Sequence, residues 1–125
     1  MPAYLLYICR NVQDRAELET YWEMIGPTFA GHSARILAAY TQFDHLEGDG
    51  PVEGVVLAEF PSKAAAKAWY ESPEYREVRR HRVRGAKYLG ILVEGGWKAI
   101  DERMPHTKGR SLAAGDQRIM PARTS

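Results

Sequence analysis

The sequence predicts an α+β fold, a four-stranded antiparallel sheet with two helices on one face, in the order strand, helix, strand, strand, helix, strand. Three observations predict it. Four runs rich in strand-forming residues are separated by segments of either helical periodicity or turn chemistry. Two of the three intervals carry helix start signals. The middle interval, Glu47-Gly48-Asp49-Gly50-Pro51, carries reversal residues instead.

The first run, residues 3–9, is apolar at every position, so both faces of that strand need a cover. Asp14 then offers an N-cap oxygen with Glu17 three residues on. Leu18, Tyr21, Trp22 and Ile25 follow at i, i+3, i+4 and i+7, one stripe of a helix. Gly26-Pro27 is expected to stop or kink it, because proline lacks the N–H and crowds the preceding turn. A second strand is expected over Arg35 to Phe43, continuing less regularly to Leu46. Val55 to Phe60 reads as a central strand, again nearly all apolar. Pro61-Ser62 ends it and caps a helix in which Ala64, Ala65, Ala66 and Ala68 allow close packing and Trp69 is the large anchor. Ser72-Pro73-Glu74 is a second start signal, so a short helix should run on to about Gly85. Tyr88 to Glu94 is the fourth strand, closed by Gly95-Gly96.

This order is the split βαβ, ferredoxin-like arrangement. Helices on one side roof only one face of the sheet, yet the first, third and last strands are apolar on both. A second copy of the chain, packed sheet to sheet about a two-fold axis, is the economical cover. At the usual interface scale of roughly 800 Å² per subunit, the gross apolar gain is on the order of 10 kcal/mol or more before association costs.

The chain has 125 residues, a length that suits a single domain. Charge divides it unevenly. Residues 1–96 carry 11 Lys and Arg against 13 Asp and Glu, whereas residues 97–125 carry 6 against 3 and lose apolar periodicity. We read 1–96 as the folded domain and 97–125 as a basic C-terminal extension, flexible or packed on its surface. Six cations without interleaved aromatics are poor support for nucleic-acid binding. One cysteine, Cys9, fits a reducing compartment, and the apolar Met1 to Cys9 run is too short to span a bilayer, so a cytoplasmic protein is expected.

The motifs Leu46-Glu47-Gly48-Asp49, Glu59-Phe60-Pro61-Ser62, Ala68-Trp69-Tyr70, Ser72-Pro73-Glu74-Tyr75 and Val93-Glu94-Gly95 resemble, in this order, the family known as domain of unknown function 1330, within the dimeric α+β barrel superfamily. The resemblance covers roughly residues 2 to 96. It implies a ferredoxin-like subunit and a two-fold dimer, and no agreed reaction. The wider superfamily includes cofactor-free monooxygenases, lactone isomerases and haem enzymes. Where that family commonly has Tyr-Gly-Gly-Arg, this chain has His32-Ser33-Ala34-Arg35. The arginine is kept and an imidazole replaces the phenol.

Several residues are candidates for chemistry, each with a structural alternative. Arg35 suits a carboxylate, phenolate or enolate, and His32 a proton transfer near neutrality; otherwise they serve a surface acid and a loop carbonyl. Glu59, inside an apolar strand on the face of Val55 and Leu57, is a candidate base or the partner of Arg35. Tyr7, Trp22, Tyr40 and Trp69, with Tyr70, could line an apolar pocket with polar tips or fill the core and dimer interface. Arg76, Arg79, Arg80, Arg82 and Arg84 read as a solvated basic face of the last helix, and Cys9 as packing. Histidines are scattered without metal-ligand spacing, and no phosphate loop, dinucleotide glycine pattern or nucleophile elbow occurs, so neither metal nor cofactor is expected. The function expected is therefore a small-molecule-binding protein or a cofactor-independent enzyme of the proton-transfer, isomerase or monooxygenase type. Its ligand would be a small anionic or aromatic metabolite. The alternative is a non-catalytic dimerisation or regulatory module.

Overall fold

A computed structural model describes residues 1–97 of the chain. From residue 98 on, the expected basic extension lies outside the described residues. Strand β1 spans Ala3–Val12, helix α1 Arg15–Thr28, β2 Arg35–Ala39, β3 Gly54–Phe60, α2 Lys63–Tyr70, α3 Pro73–Gly85 and β4 Ala86–Glu94. The sheet runs β2-β3-β1-β4, every neighbouring pair antiparallel. This is the ferredoxin-like α+β fold that the order of runs predicts.

The caps form as read. Asp14 accepts from the Glu17 amide, Ser62 from that of Ala65 and Ser72 from that of Tyr75. Because both Ser62 and Ser72 cap, the second crossover is two helices, α2 and α3, giving three helices where the simplest scheme has two. Helix α1 does not stop at Gly26-Pro27. It runs through Pro27 to Thr28, since a proline this close to the end costs one hydrogen bond and the turn closes through Phe29 N–H to the Gly26 carbonyl. Strand β2 is shorter than expected. It bulges between Ile36 and Ala38 and ends at Ala39, because Tyr40 takes a left-handed φ of 57° that turns the chain out of the ladder.

Register assigns the two faces. Ala3, Leu5, Tyr7 and Cys9 of β1 pair with Phe60, Ala58, Val56 and Gly54 of β3, and this face meets the helices. The core there is built on Leu18, Tyr21, Phe60, Trp69, Tyr75 and Val78, all buried. On the opposite face Tyr4, Leu6 and Ile8 alternate with them, beside Leu57 and Val55 of β3 and Val93, Ile91 and Leu89 of β4. No element among the described residues covers that face, and Val93, Ile91 and Leu89 are 52, 44 and 38 % exposed. The second apolar face is present and, among the described residues, uncovered.

Candidate functional site

Between the sheet and the helices lies a cavity of about 120 Å³. Tyr7 reaches it from β1, Tyr21 and Trp22 from α1, Tyr40 from the end of β2 and Trp69 from α2, with aliphatic side chains closing the remainder. Helical spacing brings Tyr21 and Trp22 to the sheet, and strand alternation turns Tyr7 inward. The left-handed turn at Tyr40 lays its ring over Gly54, where a Cβ would stand 2.6 Å from the ring. The structure thus gathers Tyr7, Trp22, Tyr40 and Trp69, four of the residues singled out from sequence, around one space. Leu5 and Tyr7 also line an open cleft of about 420 Å³ bounded by Ala66, Lys67 and Tyr70 of α2 and Leu92 of β4.

The remaining candidates sit elsewhere. His32 lies in the turn between α1 and β2, outside the cavity lining. Arg35 and Glu59 face each other across β2 and β3 on the open side of the sheet, Arg35 Nε 3.7 Å from Glu59 Oε1. The arginine side chain is 76 % exposed, so the pair is well solvated and structurally weak. The sheet itself separates Arg35 and Glu59 from the aromatic cavity.

Behind the cavity is a polar cluster that sequence reading missed. Arg82 of α3 is 7 % exposed, a correction to its assignment to a solvated basic face. Its guanidinium is sandwiched against the rings of Tyr7 and Tyr88, 4.6 and 5.1 Å from their centroids, and its Nε donates to the Tyr75 hydroxyl at 3.3 Å. Tyr75 in turn is hydrogen-bonded to the hydroxyls of Tyr7 at 3.0 Å and Tyr21 at 2.8 Å. No carboxylate pairs with Arg82 among the described residues; phenol oxygen and aromatic faces stabilise the buried cation instead. Burial alone would lower the pKa of Arg82, but Tyr7, Tyr75 and Tyr21 more than reverse that, so it stays charged. Burial pushes Tyr7 and Tyr21 well above the ordinary phenol range, and neighbouring Tyr75 adds to it. Both are neutral donors at physiological pH, not bases.

Other polar tips are occupied. Trp69 Nε1 donates to Thr28 Oγ1 at 3.0 Å, and the Tyr40 and Tyr88 hydroxyls share a bond of 2.6 Å. Trp22 Nε1 is the exception, fully buried and without a partner. The Tyr40 hydroxyl is near enough to be influenced by it, but not in hydrogen-bonding geometry. Cys9 is buried and free, and burial raises its pKa, which makes the thiol inert. Among the described residues no three His, Cys, Asp or Glu side chains gather to hold a metal ion, and no helix is long and apolar enough to cross a membrane.

The family model described as "Domain of unknown function (DUF1330)" matches residues 2–96. Among solved structures, the chain is similar to RPA0582, a protein of unknown function from Rhodopseudomonas palustris, at 21% identity over 78% of this chain and 84% of that one, with a TM-score of 0.59. It is similar to a dimeric protein of unknown function and ferredoxin-like fold from Bacteroides fragilis at 13% identity, covering 75% and 96%, TM-score 0.53. It is also similar to SnoaB, a cofactor-independent oxygenase from Streptomyces nogalater, at 12% identity, covering 79% and 97%, TM-score 0.54. At these identities the likeness shows the fold alone. No curated protein matches the sequence.

Proposed function

The chain belongs to the DUF1330 family, and on that premise we propose that it is a homodimeric small-molecule-binding protein with one ligand site per subunit between sheet and helices. The observation that carries the reading is the cavity itself, apolar and ringed by Tyr7, Trp22, Tyr40 and Trp69. Dimerisation through the open sheet face is supported by its exposed Leu89, Ile91 and Val93 and by the dimeric state of the Bacteroides fragilis neighbour. A lone, buried Cys9 fits a cytoplasmic setting.

Binding is favoured over acid–base catalysis because none of the residues lining the cavity carries a carboxylate or imidazole. His32, Glu59 and Arg35, the candidates for proton transfer and anion binding, carry no part of this reading. The second reading, a cofactor-independent enzyme, draws on the description of SnoaB and on the Arg82-backed tyrosines beside the cavity. Thermal-shift screening of small neutral aromatic and alicyclic compounds tests the first. We expect a subset to raise Tm in the wild type and to lose that effect in Ala58→Leu, which fills the cavity from the β3 side. Stabilisation unchanged in Ala58→Leu, with the variant still folded, contradicts the assignment.

A further inference from the structure

The open cleft beside the cavity differs from it in charge. At about 420 Å³ it has the size of a small-molecule site, and its body is apolar, built on Leu5, Tyr7, Tyr70 and Leu92. Gly90 shapes it from β4: a Cβ there would stand 2.8 Å from Tyr7 Cε1, so glycine leaves room for the ring. Two of the walls have a guanidinium against them. Arg82 lies 4.6 Å from the Tyr7 ring centroid and Arg79 4.3 Å from that of Tyr70. Lys67 of α2, exposed and part of the lining, adds an ammonium. None of these three cations is within ion-pairing distance of a carboxylate among the described residues. Glu71, one helical turn after Lys67, is the one acid of the lining. Three positive charges thus border the cleft against one negative, beside apolar walls that screen them less than bulk water does.

From this excess of positive charge around an apolar floor, we infer that the cleft binds an amphipathic carboxylate, a compact aromatic or aliphatic body with one anionic end held by Lys67. The site is distinct from the inner cavity, and the inference goes beyond the reading above without resting on it. Both guanidiniums are committed to ring faces, and Arg82 also to the Tyr75 hydroxyl, so they act through their field and not as a clamp. Lys67 is the movable member, a point charge with three donors on a flexible stem. A single lysine suits a monoanion. A phosphate dianion asks for several converging charged donors, which this lining does not offer. A neutral ligand leaves the excess charge unanswered. The apolar body packs against Leu5 and Leu92 of the sheet and Tyr70 of α2, where removing hydrocarbon from water adds to affinity. The anion that the sequence reading gave to Arg35 thus falls to another cation, since Arg35 already faces Glu59 on the other side of the sheet.

The pair 3-phenylpropanoate and 3-phenylpropanamide, alike in shape and different in charge, tests the inference. Each is titrated into the full chain with its alanine methyl groups labelled with carbon-13. Ala66 lines the cleft and not the cavity, and Ala58 the reverse. Their resonances are the ones lost in Ala66→Gly and Ala58→Leu. We expect the carboxylate to shift the Ala66 methyl and to bind roughly fivefold or more tightly than the amide at about 20 mM salt, a preference that shrinks at about 500 mM. In Lys67→Gln the amide affinity should stay and the preference for the carboxylate should fall several-fold. An amide that binds as tightly in the wild type, an unchanged preference in Lys67→Gln, or a carboxylate that shifts Ala58 and not Ala66 would overturn the inference. So would the absence of any Ala66 shift at about 10 mM carboxylate. The inner cavity is tested apart, by the neutral compounds whose effect is lost in Ala58→Leu.

Discussion

Arg82 and its tyrosines show how a residue's role depends on neighbours far away in sequence. Tyr75, Val78, Arg82 and Gly85 fall on one helical stripe, and all four are buried. That spacing was present in the sequence, but five arginines within nine positions read as one solvated surface, and nothing local distinguished Arg82. Its cation is tolerated only because Tyr7, Tyr75 and Tyr88 come from three separate elements. The aromatic candidates Tyr7, Trp22, Tyr40 and Trp69 line one cavity, and of these Trp22 sits on a helical apolar stripe that the sequence displays. Whether Trp22 Nε1 would find a partner depends on geometry to Tyr40, which no spacing rule encodes. The cluster makes a prediction at high pH. A phenol whose folded pKa lies above its unfolded value of about 10 leaves stability untouched below that pH. Above it the unfolded chain releases a proton that the folded chain retains, so stability falls by about 1.4 kcal/mol per pH unit for each such group. Tyr7 and Tyr21 together should thus make alkaline unfolding steep above pH about 10. Phenolate absorbance near 295 nm should show these two tyrosines ionising with the loss of tertiary circular dichroism; their titration in a still-folded protein would contradict the burial assigned here.

At the scale of elements, most starts were legible and some ends were not. Capping side chains act within three residues, so Asp14, Ser62 and Ser72 announce their helices locally. Ends depend on what the chain meets next. Strand β2 stops at Ala39 because Tyr40 turns back over Gly54 to reach Tyr88, contacts that apolar alternation through residue 43 could not reveal. The junction of α3 with β4 is another such meeting point. The Gly85 carbonyl accepts from the Gln13 and Asp14 amides at 2.7 and 2.9 Å, pinning the start of α1. A Cβ at Gly85 would stand 3.0 Å from the Leu18 backbone nitrogen and 2.8 Å from its Cγ. We therefore expect Gly85→Ala to destabilise the fold by about 1–3 kcal/mol, seen as a lower denaturation midpoint with unchanged slope. A change within a few tenths of a kcal/mol would mean that α1 is not held tightly against this turn.

For the whole molecule, the governing fact is a sheet with two apolar faces and, among the described residues, helices on only one of them. This was readable from sequence, because unbroken apolar runs in β1 and β3 leave no polar side to turn towards water. The separation of Arg35 and Glu59 from the cavity was not readable, since strand parity places Glu59 with Leu57 but does not say which face the helices take. Ile91, on the open face and 44 % exposed, is a position where a charge should be harmless to a monomer and damaging to a sheet-to-sheet dimer. Sedimentation equilibrium of the full chain at about 10 µM, alongside Ile91→Asp, is the most direct measurement. The wild type should sediment at twice the chain mass of 14.1 kDa and the variant should shift towards a single copy with its far-ultraviolet circular dichroism intact. A wild type that sediments as a stable single copy at that concentration would contradict the pairing of sheets on which the account rests.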